Sequence, residues 1–295
     1  YGLSDSAASS GVGRTRRQPS PPSQLRTGCP LEPAMKRIAS RENPHYKMLK
    51  KLCQSSRERR RSACVLLDGM HLIEAYGRQR GMPEEIVVSD SGAVRPEAAC
   101  YLANCGAGTR VTCLPDALFD DLAVVDTPSG IMAIVAWPQP ARGLDHDEDT
   151  VLLDGVQDPG NVGSILRSTA AAGFRQVLLS ADCAQAWSPK TLRAAMGAHF
   201  QVEIHEGGDL AGFLAAYHGQ AVATALAAPV SLYTTKLDRP LAWVFGSEGL
   251  GVRPAVLAAT QRQVHIPMPG AMESLNVAAA AAICLFETVR RRQDG

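Results

Sequence analysis

In the second half of the chain, apolar segments run three times into blocks rich in Gly, Asn, Ser and Pro. The blocks are Asp154–Arg167, Phe245–Gly251 and Ile266–Val277. A strand that breaks into such a turn before a helix is the unit from which α/β folds build ligand sites at a sheet's carboxyl edge. The expected strands are Val151–Leu153, Gln176–Leu179, Gln201–Ile204, Gln220–Ala225, Ala242–Phe245 and Arg262–Ile266. Buried apolar strands joined by helical crossovers imply a parallel sheet. The Ala-rich run Val277–Leu285 falls short of the ~18 apolar residues of a membrane span and reads as a closely packed helix.

Residues 35–137 mix helix and strand on a smaller scale. Helices are expected at His45–Gln54, Met70–Arg80, Pro96–Asn104 and Asp116–Leu122, and strands at Ala63–Leu67, Glu85–Ser89, Arg110–Cys113 and Ile131–Ala136. This alternation implies a small α/β sandwich. Pro138–Gly143 and the acidic run 145–149 form a linker over 138–149, so a second domain spans 150–295. Residues 1–34 are rich in Ser, Pro, Gly and Arg without apolar periodicity, which predicts a disordered tail. Met35 reads as a natural start, and an organelle transit segment is the other reading of the Arg- and Ser-rich leader.

Net charge is +1, but positive charge is concentrated. Residues 35–61 hold ten Lys or Arg against Glu42 and Glu58, whereas from residue 62 onward 16 basic residues face 25 acidic ones. Such asymmetry suits either a polyanion contact or a solvated helix face. The eight cysteines form no CxxC pair and no histidine cluster adjoins them, which argues against structural zinc. Unpaired thiols in a chain with a full core fit a reduced, cytoplasmic protein.

The blocks themselves carry the chemistry. Gly160 and Gly163 would let the backbone turn and approach a ligand, Asn161 would sit in that loop, and Ser164 would cap a helix carrying Arg167. Neither the P-loop nor the dinucleotide fingerprint is present. Taken alone, Arg167 reads first as a surface or ion-paired helix residue, and Glu248 equally as a carboxylate capping the helix after Gly251. Pro267, Pro269 and Gly270 force an irregular path, after which Ser274 and Asn276 flank Leu275. An apolar side chain between two polar ones suits a ligand with an apolar ring and polar rim, such as adenosine.

Asn161-x-Gly163-x-x-x-Arg167, Gly246-x-Glu248-x-x-Gly251 and Ile266-Pro267-Met268-x-Gly270-x-x-x-Ser274-Leu275-Asn276-Val277 match, in order, three motifs of the SpoU-type, TrmH-like RNA ribose 2′-O-methyltransferases of the SPOUT superfamily. Lys190-x-x-Arg193-Ala194-x-x-Gly197 resembles a further stretch between the first two. In residues 35–137, Ile38–Pro44, Asp68-Gly69 and Thr127–Gly130 resemble the family's ribosomal-protein-like RNA-binding module. Relatives more often carry Glu-Gly and Thr-Pro-Gln-Gly at the last two.

The resemblance implies a parallel-sheet domain whose C-terminal segment is threaded into a deep trefoil knot, and a homodimer. It implies S-adenosylmethionine in a pocket lined by Thr224, Gly246, Ile266, Ser274 and Leu275, with no metal. A ribose 2′-hydroxyl is a poor nucleophile until its proton is removed or polarised. Arg167 would do this. An ordinary guanidinium stays protonated far above neutral pH, so it would orient the hydroxyl and stabilise developing charge, an RNA phosphate taking the proton. Asn161 would position the ribose or Arg167, and Glu248 and Asn276 would brace the loops. Ribosomal RNA of the large subunit is the expected acceptor, gripped by the basic stretch 35–61, with transfer RNA the alternative. A non-catalytic RNA-binding or assembly factor and a nucleotide-dependent small-molecule enzyme are the rival classes.

Overall fold

The computed structural model describes residues 35–106, 108–123 and 127–294, so the expectation for residues 1–34 lies outside the described residues. The first half contains β1 (Met35–Arg37), α1 (Pro44–Gln54), α2 (Ser56–Ser62), β2 (Cys64–Asp68), α3 (Met70–Arg80), β3 (Glu85–Ser89), α4 (Asp90–Ala93), α5 (Pro96–Ala103), β4 (Arg110–Leu114), α6 (Asp116–Leu122) and β5 (Ile131–Ala136). The second contains β6 (Thr150–Asp154), α7 (Pro159–Ala171), β7 (Gln176–Leu179), α8 (Pro189–Ala195), β8 (Glu203–Glu206), α9 (Leu210–Ala216), β9 (Gln220–Thr224), β10 (Val230–Ser231), β11 (Leu241–Gly246), α10 (Pro254–Ala258), β12 (Arg262–His265) and α11 (Val277–Asp294).

The first sheet is mixed, in the order β1-β4-β3-β5-β2, with β5 antiparallel to both neighbours. The second has seven strands, β10-β12-β9-β11-β6-β7-β8, all parallel. Its central strand β11 is buried at all six positions, as a strand covered on both faces must be. Because the strands share one direction, the ends of β6, β9, β11 and β12 open on the same edge. The three motif blocks therefore begin on that edge.

Four sequence expectations are corrected here. The strand expected at Gln201–Ile204 runs instead from Glu203 to Glu206, because Phe200 and Val202 are drawn into the core before pairing with β7 begins at Gln176. The start of α7 also differs. Asp158, not Ser164, is the N-cap, accepting the Asn161 N–H at 2.8 Å, and the helix begins at Pro159. Asn161 is therefore in the first helical turn rather than a loop. Gly163 makes no turn. A Cβ there would lie 2.5 Å from Ala194 Cβ and 2.6 Å from Thr191 O, so its role is to let α7 lie against α8.

The two sheets share a core. One apolar cluster runs from Val65, Leu72 and Ile73 through Trp187, Leu192 and Phe200 to Trp243 and Leu285. Polar contacts fasten the junction. Arg59 of α2 is buried, donates to the carbonyls of Leu52 (2.8 Å) and Cys53 (3.3 Å), and reaches Gln185 before α8. Arg193 of α8 pairs with Asp68 at 3.3 Å, and Ser129 donates to the same carboxylate at 2.8 Å.

At this junction His199 is buried with Nε2 2.6 Å from Ala186 O and its ring 4.9 Å from that of Trp187. Burial pushes its pKa from 6.5 to about 4. The unfolded chain therefore binds more protons between these values, so the stabilisation is complete above about pH 6.5 and is lost as pH falls toward 4. At about 1.4 kcal/mol per unit this is roughly 3 kcal/mol. Urea unfolding of the wild type from about pH 7.5 to about pH 4.5 should show this loss, and His199→Gln should show a flatter profile. Identical slopes would exclude His199 as its source.

Candidate functional site

The carboxyl edge of the parallel sheet holds a cavity of about 390 Å³ between the ends of β9, β11 and β12, within the roughly 300–1,000 Å³ typical of small-molecule sites. All five residues expected to hold the cofactor line it: Thr224, Gly246, Ile266, Ser274 and Leu275. Leu226, Leu250 and Met268 also face it, and sequence reasoning missed them as lining residues. Their apolar side chains lie in connecting segments, where no periodicity marks a buried face.

Gly246 ends β11 in a tight turn. Ser247 and Gly251 exchange backbone hydrogen bonds at 3.1 and 2.9 Å, so Glu248, Gly249 and Leu250 form the tip. A Cβ on Gly246 would lie 2.0 Å from the carbonyl carbon of Gly251, a position only glycine fills. The turn is anchored from below by Asp154 at the end of β6. Its buried carboxylate accepts the Arg253 backbone N–H and Nε–H, each at 2.7 Å. That hydrogen bonding raises the Arg253 guanidinium above its ordinary pKa. The sequence offered no signal for this lock, which joins residues 99 positions apart.

The three blocks meet in one hydrogen-bonded triangle. Asn161 Nδ2 donates to Glu248 Oε1 at 2.9 Å, and Asn276 Nδ2 donates to the same oxygen at 2.7 Å and to Asn161 Oδ1 at 2.9 Å. Asn276 Oδ1 accepts the N–H groups of Ala278 (3.0 Å) and Ala279 (3.2 Å), capping α11. Glu248 thus serves neither as a cap for α10 nor as a free carboxylate. Arg167 stands apart. It is exposed on α7, does not line the cavity, and its guanidinium makes no hydrogen bond or ion pair among the described residues. Asn161 is bonded to Glu248 and Asn276 rather than to Arg167.

The donor set fits S-adenosylmethionine. Leu257, Val264, Ile266 and Leu275 supply apolar wall, while the hydroxyls of Thr224 and Ser274 line the cavity without a hydrogen-bond partner among the described residues. Cys183, donating to Leu153 O (3.2 Å), has its pKa pushed up by burial and keeps its proton, so it offers no thiolate here. Among the described residues no group of three or more His, Cys, Asp or Glu is placed to hold a metal ion.

Of the ten basic residues in 35–61, many are already engaged. Arg59 is buried in the junction; Arg37 pairs with Asp90, Lys47 with Glu42, Arg61 with Glu58, and Lys50 and Arg41 share Asp121. The side chains of Lys36, Lys51, Arg57 and Arg60 make no such contact among the described residues and remain for a polyanion.

The 23S rRNA (guanosine(2553)-2′-O)-methyltransferase RlmP of Bacillus subtilis is 32% identical over 255 residues, covering 85% of this chain and 98% of that protein. Residues 149–286 match the SpoU rRNA Methylase family. The chain belongs to that family. Residues 43–133 match the MRM3-like substrate binding domain family. The RlmB 23S rRNA (guanosine-2′-O-)-methyltransferase of Photobacterium profundum is 38% identical over 188 residues, 59% of this chain and 76% of its own. Among solved structures, an RNA 2′-O ribose methyltransferase matches with a TM-score of 0.75 at 30% identity over 87% of this chain and 99% of that one. The AdoMet-bound rRNA methyltransferase from Sinorhizobium meliloti matches at 0.74 and 28%, over 88% and 98%.

The double duty of Asn276 in this SpoU family member is separable. Asn276→Ala removes cap and brace together and should cost about 1–2 kcal/mol, seen as a lower Tm, and weaken binding of S-adenosylmethionine. Asn276→Asp keeps the cap acceptor but sets a carboxylate against Glu248. It should retain more helix stability than the alanine variant while binding the cofactor no better, by calorimetry; equal Tm values would refute the capping role.

Proposed function

We propose that this protein methylates a ribose 2′-hydroxyl of large-subunit ribosomal RNA, using S-adenosylmethionine. The observation that carries the reading is the meeting of Asn161, Glu248 and Asn276 beside the cavity of Thr224, Gly246, Ile266, Ser274 and Leu275. Support for the acceptor comes from the relatives, RlmP and RlmB, whose names specify 23S rRNA.

When bound, S-adenosylmethionine supplies an electrophilic methyl group on its sulfonium. Thr224 and Ser274 offer hydroxyls to its polar groups, and Ile266 and Leu275 offer apolar surface to the adenine. Glu248, held by two amides, fixes the turn that closes one wall. Arg167, with its guanidinium unengaged, receives the RNA: it orients the 2′-hydroxyl and stabilises the negative charge that grows on its oxygen, the proton passing to a neighbouring RNA phosphate. Asn161 keeps the first turn of α7, and so Arg167 further along that helix, in register with the cavity.

Residues 35–137 act as the RNA-binding module, with Lys36, Lys51, Arg57 and Arg60 on phosphates. A trefoil knot at the C-terminus is supported by β12 lying between β10 and β9 while α11, which follows it in the chain, packs on α7 and β11. A homodimer is supported by the exposed Leu226, Leu250 and Leu275 at the cavity and the exposed Phe286 on α11. No described helix is long and apolar enough to cross a membrane. The seven described cysteines are unpaired, which supports a reducing compartment such as the cytoplasm.

Arg167→Ala should reduce methyl transfer from labelled S-adenosylmethionine to 23S rRNA by roughly 10²–10⁴-fold in kcat, leaving cofactor affinity unchanged. Undiminished kcat would remove Arg167 from the reaction, and label found only in transfer RNA would reassign the acceptor.

A further inference from the structure

A second cavity opens where the two sheets join. It has a volume of about 480 Å³, and its wall includes Trp137, Trp187, Arg60, His205 and Glu206. The two indoles stand 6.4 Å apart with their planes at 52°, forming a wedge. Trp137 is only half-buried, and its backbone N–H is tied to Ala63 O at 2.7 Å, so the ring is accessible while its main chain is held. Arg60 stands at the mouth, its guanidinium making no hydrogen bond or ion pair among the described residues.

The polar side of the cavity is incompletely paired. Glu206 accepts the Ala186 N–H at 2.7 Å through Oε1, and its other oxygen takes no hydrogen bond among the described residues. Burial raises its pKa. Four buried side-chain atoms in the described residues lack a partner, and three of them crowd this junction: His205 Nε2, Gln185 Nε2 and His199 Nδ1. His205 lines the cavity, Gln185 is bound by the neighbouring Arg59, and the His199 ring lies against Trp187. These three atoms are shut off from solvent behind the cavity wall, so the groups a ligand in the cavity can meet are the two indoles, Arg60 and the second oxygen of Glu206.

We propose that this cavity is a second nucleobase subsite that takes an unpaired guanine of the RNA substrate. The inference rests on the RNA-methylating reading above. An accessible, anchored indole is the platform on which proteins stack unpaired bases, and a carboxylate with a free oxygen matches the base whose Watson–Crick edge presents adjacent N1–H and N2–H donors. Arg60 is placed for the phosphate attached to it. The cavity adjoins the end of β8, on the same edge of the parallel sheet as the cofactor cavity. Three strand positions separate β8 from β11, roughly 14 Å at ~4.8 Å per strand. A short run of single-stranded RNA bridges that distance, so the guanine subsite would fix which ribose reaches Arg167.

The test uses the full chain, fluorescence anisotropy, and an oligoadenylate of about ten nucleotides carrying one central guanosine or, in its place, inosine, which lacks the N2 amino group. Wild type should bind the guanosine oligomer several-fold more tightly than the inosine one. Trp137→Ala should weaken binding of the guanosine oligomer by roughly 5- to 100-fold, and Trp137→Phe should restore most of it. Glu206→Gln, which still accepts the Ala186 N–H, should abolish the preference for guanosine over inosine. S-adenosylmethionine affinity should be unchanged in all three variants. Equal binding of both oligomers by wild type, or wild-type binding by Trp137→Ala and Glu206→Gln, would overturn the subsite even if ribosomal RNA is methylated. Intact guanosine discrimination by a protein that transfers no methyl group would sink the methyltransferase reading and leave the subsite standing.

Discussion

The site depends on one carboxylate oxygen. Glu248 Oε1 receives amide protons from Asn161 and Asn276, residues that reach it from opposite sides along the sequence. Asn161 lies in the first turn of α7, Glu248 at the tip of the turn after β11, and Asn276 caps α11. The bond set is small, exposed to solvent, and worth little as stability on its own. Its effect is geometric, because the first turn of α7, the turn after β11 and the segment entering α11 become a single rim beside the cavity. The buried Asp154–Arg253 contact then ties that rim to the rigid end of β6.

Beneath the rim the all-parallel sheet does the placing. Strands of one direction bring every connecting segment of interest to one edge, with the fully buried β11 at the centre. The mixed sheet of the first half is not an independent attachment. It shares an apolar core with the second, and the buried Arg59 and the Arg193–Asp68 pair hold the seam.

Much of this could be read from the sequence, and the exceptions have physical causes. The expected strands Gln176–Leu179, Glu85–Ser89 and Ile131–Ala136 match the observed ones, since apolar runs bounded by turn residues leave little choice. The shift of β8 arose because Phe200 and Val202 satisfy the core while outside the ladder, which periodicity cannot distinguish from strand. The elements β1, α4 and β10 escaped for want of length, and α2 because Ser56–Ser62 holds no apolar residue to set a period. At the site, the cavity residues followed from the motif resemblance, whereas the cap at Asp158 was hidden because several polar residues compete for that role in the same block. The charge census was the least informative. Net positive charge in 35–61 says nothing about which cations fold back onto Asp90, Asp121, Glu42 or Glu58.

The shared core between the two sheets has a consequence for substrate choice. Domains joined by a slack tether sample many separations and accept targets of many shapes. Here the unpaired cations of α1 and α2 are held at a set distance and angle from the rim at Glu248, because Arg59 is sunk into the seam between them. On the reading proposed above, in which those cations hold phosphates and Arg167 meets the ribose, the protein would act as a caliper, accepting an RNA by the spacing between the two.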